Sequence, residues 1–294
     1  MSEEALPRVF GVLGDPIGHS RSPAMHNAAF AALGVAHRYA AFHVRPEALA
    51  GALAGARALG LGGLNLTVPH KRAALTLVDE LTTRARRIGA VNTVVPLPGG
   101  RLRGDNTDGL GFAAAVRELA PAVAVREAVV LGGGGAARAV VDALIHDHEH
   151  QLSVDHVRWV TRSPAALAEE VALEVAEDVE VQGYAQLVGP RALARVDLLV
   201  NCTSVGMPGG PARFPVALAL ARLPAGARVV DIVYPRRPGG LLDEAEAAGC
   251  PAQDGLPMLL WQGVFALERW LGLADGSLPA PAIAAMRAAL RSSG

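Results

Sequence analysis

Four consecutive glycines, Gly132, Gly133, Gly134 and Gly135, sit between a short apolar run at residues 127–131 and a stretch of good helix formers at residues 136–145. Strand, glycine turn and helix in that order constrain the chain more than any other feature. Backbone can approach a pyrophosphate only where side chains are missing, and the N-terminus of the helix then faces the negative charge. The tight apolar flanks exclude a flexible linker. Other short apolar runs follow the same strand-then-loop rhythm, at residues 8–13, 38–43, 157–160, 196–200 and 229–233. The rhythm predicts an α/β protein with a parallel sheet.

The strand predicted at residues 157–160 ends in Thr161, Arg162 and Ser163. A fold of this kind that takes NAD usually has an acid there to hold the ribose hydroxyls, and here no acid occurs before Glu169. A guanidinium between two hydroxyls suits a 2′-phosphate instead, so the residues favour NADP(H).

A second chemical group lies at residues 63–71, where an apolar run carries Asn65 and Thr67 and ends on Lys71. Lys71 is the one lysine among 27 basic residues. Arg supplies charge equally well but stays protonated, whereas an ammonium can trade protons, so the spared lysine reads as a proton-transfer group. If residues 64–68 form a strand, Asn65 and Thr67 share a face, and Pro69 ends it with His70 and Lys71 just beyond. Ligand sites of α/β proteins form there.

Residues 14–23 form a Gly- and Pro-punctuated loop, and Ser22-Pro23 opens a helix. Ser20 and Ser22 read equally as an anion-binding pair at a helix N-terminus or as an ordinary N-cap with a loop neighbour. Asp108, in the run Gly104-Asp-Asn-Thr-Asp-Gly109, reads as a carboxylate partner for a lysine or as the cap of a helix over residues 109–119. The periodicity also predicts helices at residues 46–59 and 72–87.

Taken together, these stretches resemble the shikimate dehydrogenase family. Its motifs are matched by N-x-T-x-P-H-K at residues 65–71, G-D-P-I-G-H-S-R-S-P-A-M-H-N at 14–27, G-x-N-T-D-G at 104–109 and G-x-G-G-A at 132–136. T-R-S stands for N-R-T at 161–163, N-C-T-S-V-G-M occupies 201–207, and G-L-P-M-L-L-W-Q occupies 255–262. The resemblance implies Lys71 and Asp108 as the catalytic pair. It implies that Ser20, Ser22, Asn65, Thr67, Asn92, Tyr234 and Gln262 bind substrate, and that Gly132 to Gly135, Ala136, Thr161, Arg162, Ser163, Thr203, Met207, Ile232, Gly255 and Met258 bind NADP(H). The implied reaction is reduction of 3-dehydroshikimate to shikimate, on the route through chorismate to aromatic amino acids. His19 and His26 fall within the motifs but acquire no chemical role. One departure stands out: the family's Y-x-P-x-x-T is replaced by Tyr234-Pro-Arg-Arg-Pro-Gly239.

The expected architecture has an N-terminal α/β substrate domain at residues 1–107, completed by helices at 256–294, and a Rossmann-like doubly wound parallel sheet at 108–255. At 294 residues, 51% of them hydrophobic, the chain can fill two cores. A net charge of −1 speaks against nucleic acid, and no apolar run is long enough to span a membrane. The acidic opening lacks the pattern of a secretory signal, so a cytoplasmic protein is expected, as a monomer or homodimer. Cys202 and Cys250 read as core residues. The His- and Asp-rich tract at 145–151, with Asp155 and His156, reads as a solvated loop, with no metal expected.

Overall fold

The computed structural model describes residues 6–119, 125–146, 154–171 and 177–292. The acidic start of the chain and residues 147–151 of the His-rich tract lie outside the described residues. The chain divides into two compact units, Met1–Gly111 with Leu259–Gly294, and Phe112–Met258.

The first unit begins with β1 (Val9–Gly14), α1 (Ser22–Ala32), β2 (Arg38–His43), α2 (Leu49–Ala58), β3 (Gly63–Leu66) and α3 (His70–Ala73). It continues with β4 (Glu80–Leu81), α4 (Thr83–Ile88), β5 (Thr93–Leu97) and β6 (Arg101–Asp105). Six strands form one sheet in the order β2-β1-β3-β5-β6-β4. β2, β1 and β3 are parallel, while β5 runs antiparallel to β3 and β6. The alternation of a strand assigns its side chains to two cores. Phe10 and Val12 pack with Ala29 and Phe30 of α1, whereas Leu13 joins Leu64 and Leu66 against Leu49 and Leu53 of α2. Full burial of each large side chain contributes about 1.5–3 kcal/mol.

The helix expected over residues 72–87 is broken in two. Between α3 and α4, Glu80 pairs with Arg103 of β6, and Asp79 Oδ2 accepts the Leu102 N–H at 2.7 Å. Thr82 then restarts the helix, its hydroxyl accepting the Ala85 N–H at 3.1 Å. Edge pairing and this cap outweigh the helical periodicity.

The second unit takes up α5 (Asp108–Leu119) at Phe112 and continues with β7 (Val125–Leu131), α6 (Gly135–His146), β8 (Val154–Thr161), α7 (Pro164–Val171) and β9 (Val179–Gly183). Then come β10 (Leu198–Asn201), β11 (Arg228–Asp231), α8 (Leu241–Ala247) and β12 (Ala252–Gln253). All pairings are parallel, in the order β12-β11-β10-β7-β8-β9. Within the unit this is the doubly wound order, reversing direction between β7 and β10.

Two helices follow, α9 (Leu256–Leu271) and α10 (Ala280–Ser292). Asp254 caps the first, accepting the Leu256 N–H at 3.0 Å, and Pro257 occupies its first turn, where a missing N–H is harmless. Leu260, Val264 and Leu267 of α9 and Ala282, Met286 and Leu290 of α10 recur at helical spacing and pack into the core that holds Phe10. The expected return of the C-terminal helices to the N-terminal sheet is thus a matter of two apolar stripes.

Candidate active site

Strand register assembles the polar end of the first unit. Asn65 lies opposite Thr93 across β3 and β5, and Thr93 opposite Asp105 across β5 and β6. Beyond β3 the chain turns at a cis Val68–Pro69 peptide, with the His70 N–H bonded to the Thr67 carbonyl at 2.8 Å. His70 is buried and bonded to the Val44 carbonyl, and the adjacent Lys71 reaches the start of α5.

There the Lys71 ammonium donates to Asp108 Oδ2 at 2.6 Å, with 17% and 7% of the two side chains exposed. Asn92 Nδ2 donates to Asp108 Oδ1 at 2.8 Å, so each carboxylate oxygen has its own partner. Asn92 is held in turn, its Oδ1 accepting from the Thr93 hydroxyl and the Thr107 N–H, both at 2.8 Å. Asp108 opens α5, and its own N–H is taken by Asn106 Oδ1 at 3.0 Å. The geometry provides a shielded ammonium–carboxylate pair with a fixed orientation. A pair of this kind can pass a proton to a substrate oxygen and draw a replacement through the carboxylate.

The other residues expected to hold substrate differ in what they leave open. Asn65 Nδ2 donates to the Asn92 carbonyl and the Thr93 hydroxyl, and its Oδ1 accepts from the Tyr39 hydroxyl at 2.8 Å. Both amide hydrogens are therefore engaged, and one lone pair of Oδ1 remains for a hydroxyl donor. Gln262 Nε2 donates to the Leu259 carbonyl at 2.7 Å, while its Oε1 stands 3.5 Å from Asn92 Nδ2. Thr67 lies just past β3, half-buried. At α1 the capping pattern differs from the simplest reading. Arg21 occupies the cap position without a side-chain bond, Ser22 is the first helical residue, and Ser20 Oγ accepts the Ser22 N–H at 3.3 Å. The Ser22 hydroxyl does not cap the helix.

Thr93, Asn106 and Thr107 were not singled out from sequence, although the last two belong to the G-x-N-T-D-G run. Tyr39 had no signal at all; its hydroxyl bond to Asn65 exists only through sheet pairing. His26 is fully buried, stacked 4.3 Å from the Tyr39 ring, and burial pushes its imidazole down to about 3. It is a neutral packing residue.

In the second unit the glycine turn follows β7. Gly132 has φ +121°, a conformation open to glycine, and a Cβ on it would lie 2.8 Å from the Cys202 carbonyl oxygen. The loops after β7 and β10 therefore touch where the strand order reverses. Trp159 Nε1 holds the Gly132 carbonyl at 2.6 Å, and Gly134 faces open space. Gly135 and Ala136 form the first turn of α6. Thr161 ends β8 beside Gly133, and Arg162 and Ser163 follow, both exposed. Burial raises the Tyr184 hydroxyl pKa, opposed by the nearby Arg162 guanidinium. Further along the sheet the Thr203 hydroxyl donates to Asn201 Oδ1 at 2.7 Å, and Met207 is exposed beyond it. Ile232 and Gly255 lie against one another, with the Gly255 N–H on the Val233 carbonyl; Met258 is buried in the first turn of α9.

Tyr234 lies on the loop after β11 and belongs to the second unit, whereas the other six residues expected to bind substrate belong to the first. The altered Tyr234–Gly239 loop has its own fastening. Asp243 of α8 accepts the Gly239 N–H, and Arg236 pairs with Asp243 and Glu246. Among the described residues, no cluster of His, Cys, Asp or Glu is placed to hold a metal ion, and no helix is long and apolar enough to cross a membrane.

Asp231 joins the ends of β10 and β11, accepting from Asn201 Nδ2 at 2.8 Å and the Val233 N–H at 3.0 Å on one oxygen. Burial, aided by Asp254, lifts its carboxyl from 3.8 to about 6. The protonated folded form is therefore favoured, and this stability is complete below about pH 4 and lost as pH rises through about 6. Asp231→Asn keeps the acceptor oxygen without the charge. Relative to the parent it is expected to gain up to ~3 kcal/mol above pH 6, and nothing near pH 4. Melting curves of both proteins across that range measure the difference.

A parallel sheet wound in this order, with a glycine turn at its reversal point and an ammonium–carboxylate pair in the companion unit, defines a dinucleotide-dependent α/β oxidoreductase. The profile of the shikimate dehydrogenase substrate binding domain matches residues 12–94. The NADP(+) shikimate dehydrogenase of Rhodospirillum rubrum is 46% identical over 269 residues, 91% of this chain and 93% of that one. Among solved structures, the Thermus thermophilus shikimate 5-dehydrogenase, in complex with NADP(H) and shikimate, superposes with a TM-score of 0.78 at 40% identity. The match covers 97% of this chain and 99% of that one. The ligand-free 5-ketofructose reductase of Gluconobacter sp. strain CHM43 gives 0.79 at 31% identity, covering 98% and 99%. The chain belongs to the shikimate dehydrogenase family.

Proposed function

We propose that this protein is an NADP-dependent shikimate dehydrogenase, reversibly reducing the ring carbonyl of 3-dehydroshikimate to shikimate. The observation that carries the reading is the 2.6 Å Lys71–Asp108 pair, oriented by Asn92. NADPH, when bound, supplies the hydride. Lys71 gives its proton to the carbonyl oxygen as charge develops there, and Asp108, on the far side of the ammonium, steadies the charge and relays the replacement proton. In the oxidative direction the same pair removes the hydroxyl proton.

The hydroxyls of Ser20 and Ser22 hold the substrate carboxylate, and Asn65, Thr67, Asn92, Gln262 and Tyr234 position its ring and hydroxyls. The first unit, expected as residues 1–107 with 256–294, serves as the substrate domain, and the second, expected as 108–255, serves as the NADP domain, with Asp108 on the substrate side. Gly134, with open space where a side chain would lie, leaves the backbone accessible to a pyrophosphate at the N-terminus of α6, and Gly132, Gly133 and Gly135 complete the turn that holds it. Ala136 belongs to that turn, and Thr161, Arg162 and Ser163 take the 2′-phosphate. Thr203, Met207, Ile232, Gly255 and Met258 line the nicotinamide end. We assign the protein to the cytoplasm, in keeping with the free thiols of Cys202 and Cys250, acting as a monomer or homodimer.

Loss of NADPH absorbance on addition of 3-dehydroshikimate tests the activity directly. Turnover of 5-ketofructose in preference to 3-dehydroshikimate would overturn the substrate. The serine assignment has a separate test, since Ser20→Ala with Ser22→Ala removes carboxylate donors but leaves the reacting carbon alone. KM for shikimate is expected to rise by ~10-fold or more, with a smaller fall in kcat. If a decarboxylated analogue lost as much affinity as shikimate did, the serines would not be reading the carboxylate.

A further inference from the structure

Arg269, on α9, has only 14% of its side chain exposed, and its Nε donates to Asp105 Oδ2 at 3.0 Å, where Asp105 is 5% exposed. The outer arm of the guanidinium reaches Asp275, a half-exposed residue beyond the end of α9. Asp105 Oδ1 accepts from the Thr82 hydroxyl at 2.7 Å and the Asn106 N–H at 2.8 Å. Asn106, completely buried, bonds the Ala90 carbonyl at 2.9 Å through Nδ2 and takes the Asp108 N–H on Oδ1 at 3.0 Å. A continuous series of bonds thus runs from the last helical turns of α9 through the β6–α5 corner to Asp108, whose carboxylate holds Lys71.

We propose that Arg269 is a positioning residue, fixing the β6–α5 corner through Asp105 and Asn106 so that Asp108 presents Lys71 in its reactive orientation. This rests on the reading of Lys71 and Asp108 above and extends it to a residue 164 positions from Asp105 in sequence. A buried ion pair adds little net stability over an apolar pair of the same size, so its value here lies in the direction it imposes. Burial opposes the charge on Asp105, but bonds from Thr82 and Arg269 hold its carboxyl below the usual range, so it remains an acceptor at neutral pH. Rotation of the corner would displace both oxygens of Asp108 together. Displacement of a reacting group by about 1 Å can cost up to ~10²-fold in rate.

The test uses the full chain with 3-dehydroshikimate and NADPH, and Arg269→Gln and Asp105→Asn alone and combined. Each single variant is expected to lower kcat about tenfold with KM changed less than about threefold, and the double variant to fall no further than the lower single. Arg269→Lys, which keeps a charge for Asp105, should recover much of the loss, and Asp275→Asn, which removes only the negative charge facing the outer arm, should stay within about twofold of the parent. Parental kcat in folded Arg269→Gln would overturn the proposal, as would a loss confined to KM. Should Arg269→Gln fail to fold, Asp105→Asn decides by the same criteria, because it keeps the acceptor for Thr82 and Asn106. An inactive parent would instead remove the functional reading, and the proposal with it.

Discussion

Lys71→Arg is expected to lower kcat by ~10²-fold or more while shikimate and NADP⁺ still bind. The substitution keeps a positive charge beside Asp108, so any purely electrostatic role survives it in part. Proton transfer does not, because a guanidinium surrenders its proton too reluctantly near neutral pH. Geometry sharpens the expectation. The ammonium sits 2.6 Å from Asp108 Oδ2 in a mostly shielded position, and a planar fork placed there would compete with Asn92 for the same carboxylate. Asp108→Asn should fall comparably, since an amide neither balances the ammonium nor relays a proton. The double variant should lose far less than the product of the two, because the residues act as one unit. Initial rates with saturating substrates measure all three, and near-parental turnover in Lys71→Arg would reduce Lys71 to a charge.

Arg162→Ala is expected to weaken NADP(H) binding by roughly ten to over a hundredfold, the worth of one charge-assisted contact at ~1.5–3 kcal/mol, and to leave NAD(H) nearly untouched. Arg162 is exposed and follows Thr161, the last residue of β8, whose hydroxyl lies beside Gly133. An exposed guanidinium flanked by Thr161 and Ser163 loses little solvation in meeting a dianionic phosphate and can do so bidentately. Titration with both cofactors checks this. Equal losses for NADP(H) and NAD(H) would show that Arg162 does not read the 2′-phosphate.

Local signals carried much of the fold. The glycine turn, the proline stops and the apolar runs each act within a few residues, and each marks an element where the structure has one. Helix periodicity failed at residues 72–87, where the Glu80–Arg103 pairing and the Thr82 cap interrupt it. Neither competitor is visible in a helical pattern: one partner lies on another strand, and the cap matters only once the chain has already turned.

The chemistry divides along the same line. Lys71 and the glycines of residues 132–135 suggest their chemistry by residue type and local spacing, whereas Asp108 reads two ways and Asn92 comes into view only through the family resemblance. Bringing Lys71 to Asp108 across 37 positions required the β3, β5 and β6 register, which places Asn65, Thr93 and Asp105 in one row. That register also engages both amide hydrogens of Asn65, brings in Thr107 and lets Arg269 reach Asp105 from α9, while the β2–β1–β3 pairing brings in Tyr39. Hydrogen bonds and ion pairs act over a few ångströms of space, without regard to distance along the chain, so the composition of this site was written in its motifs while its orientation depended on how sheet and helices pack.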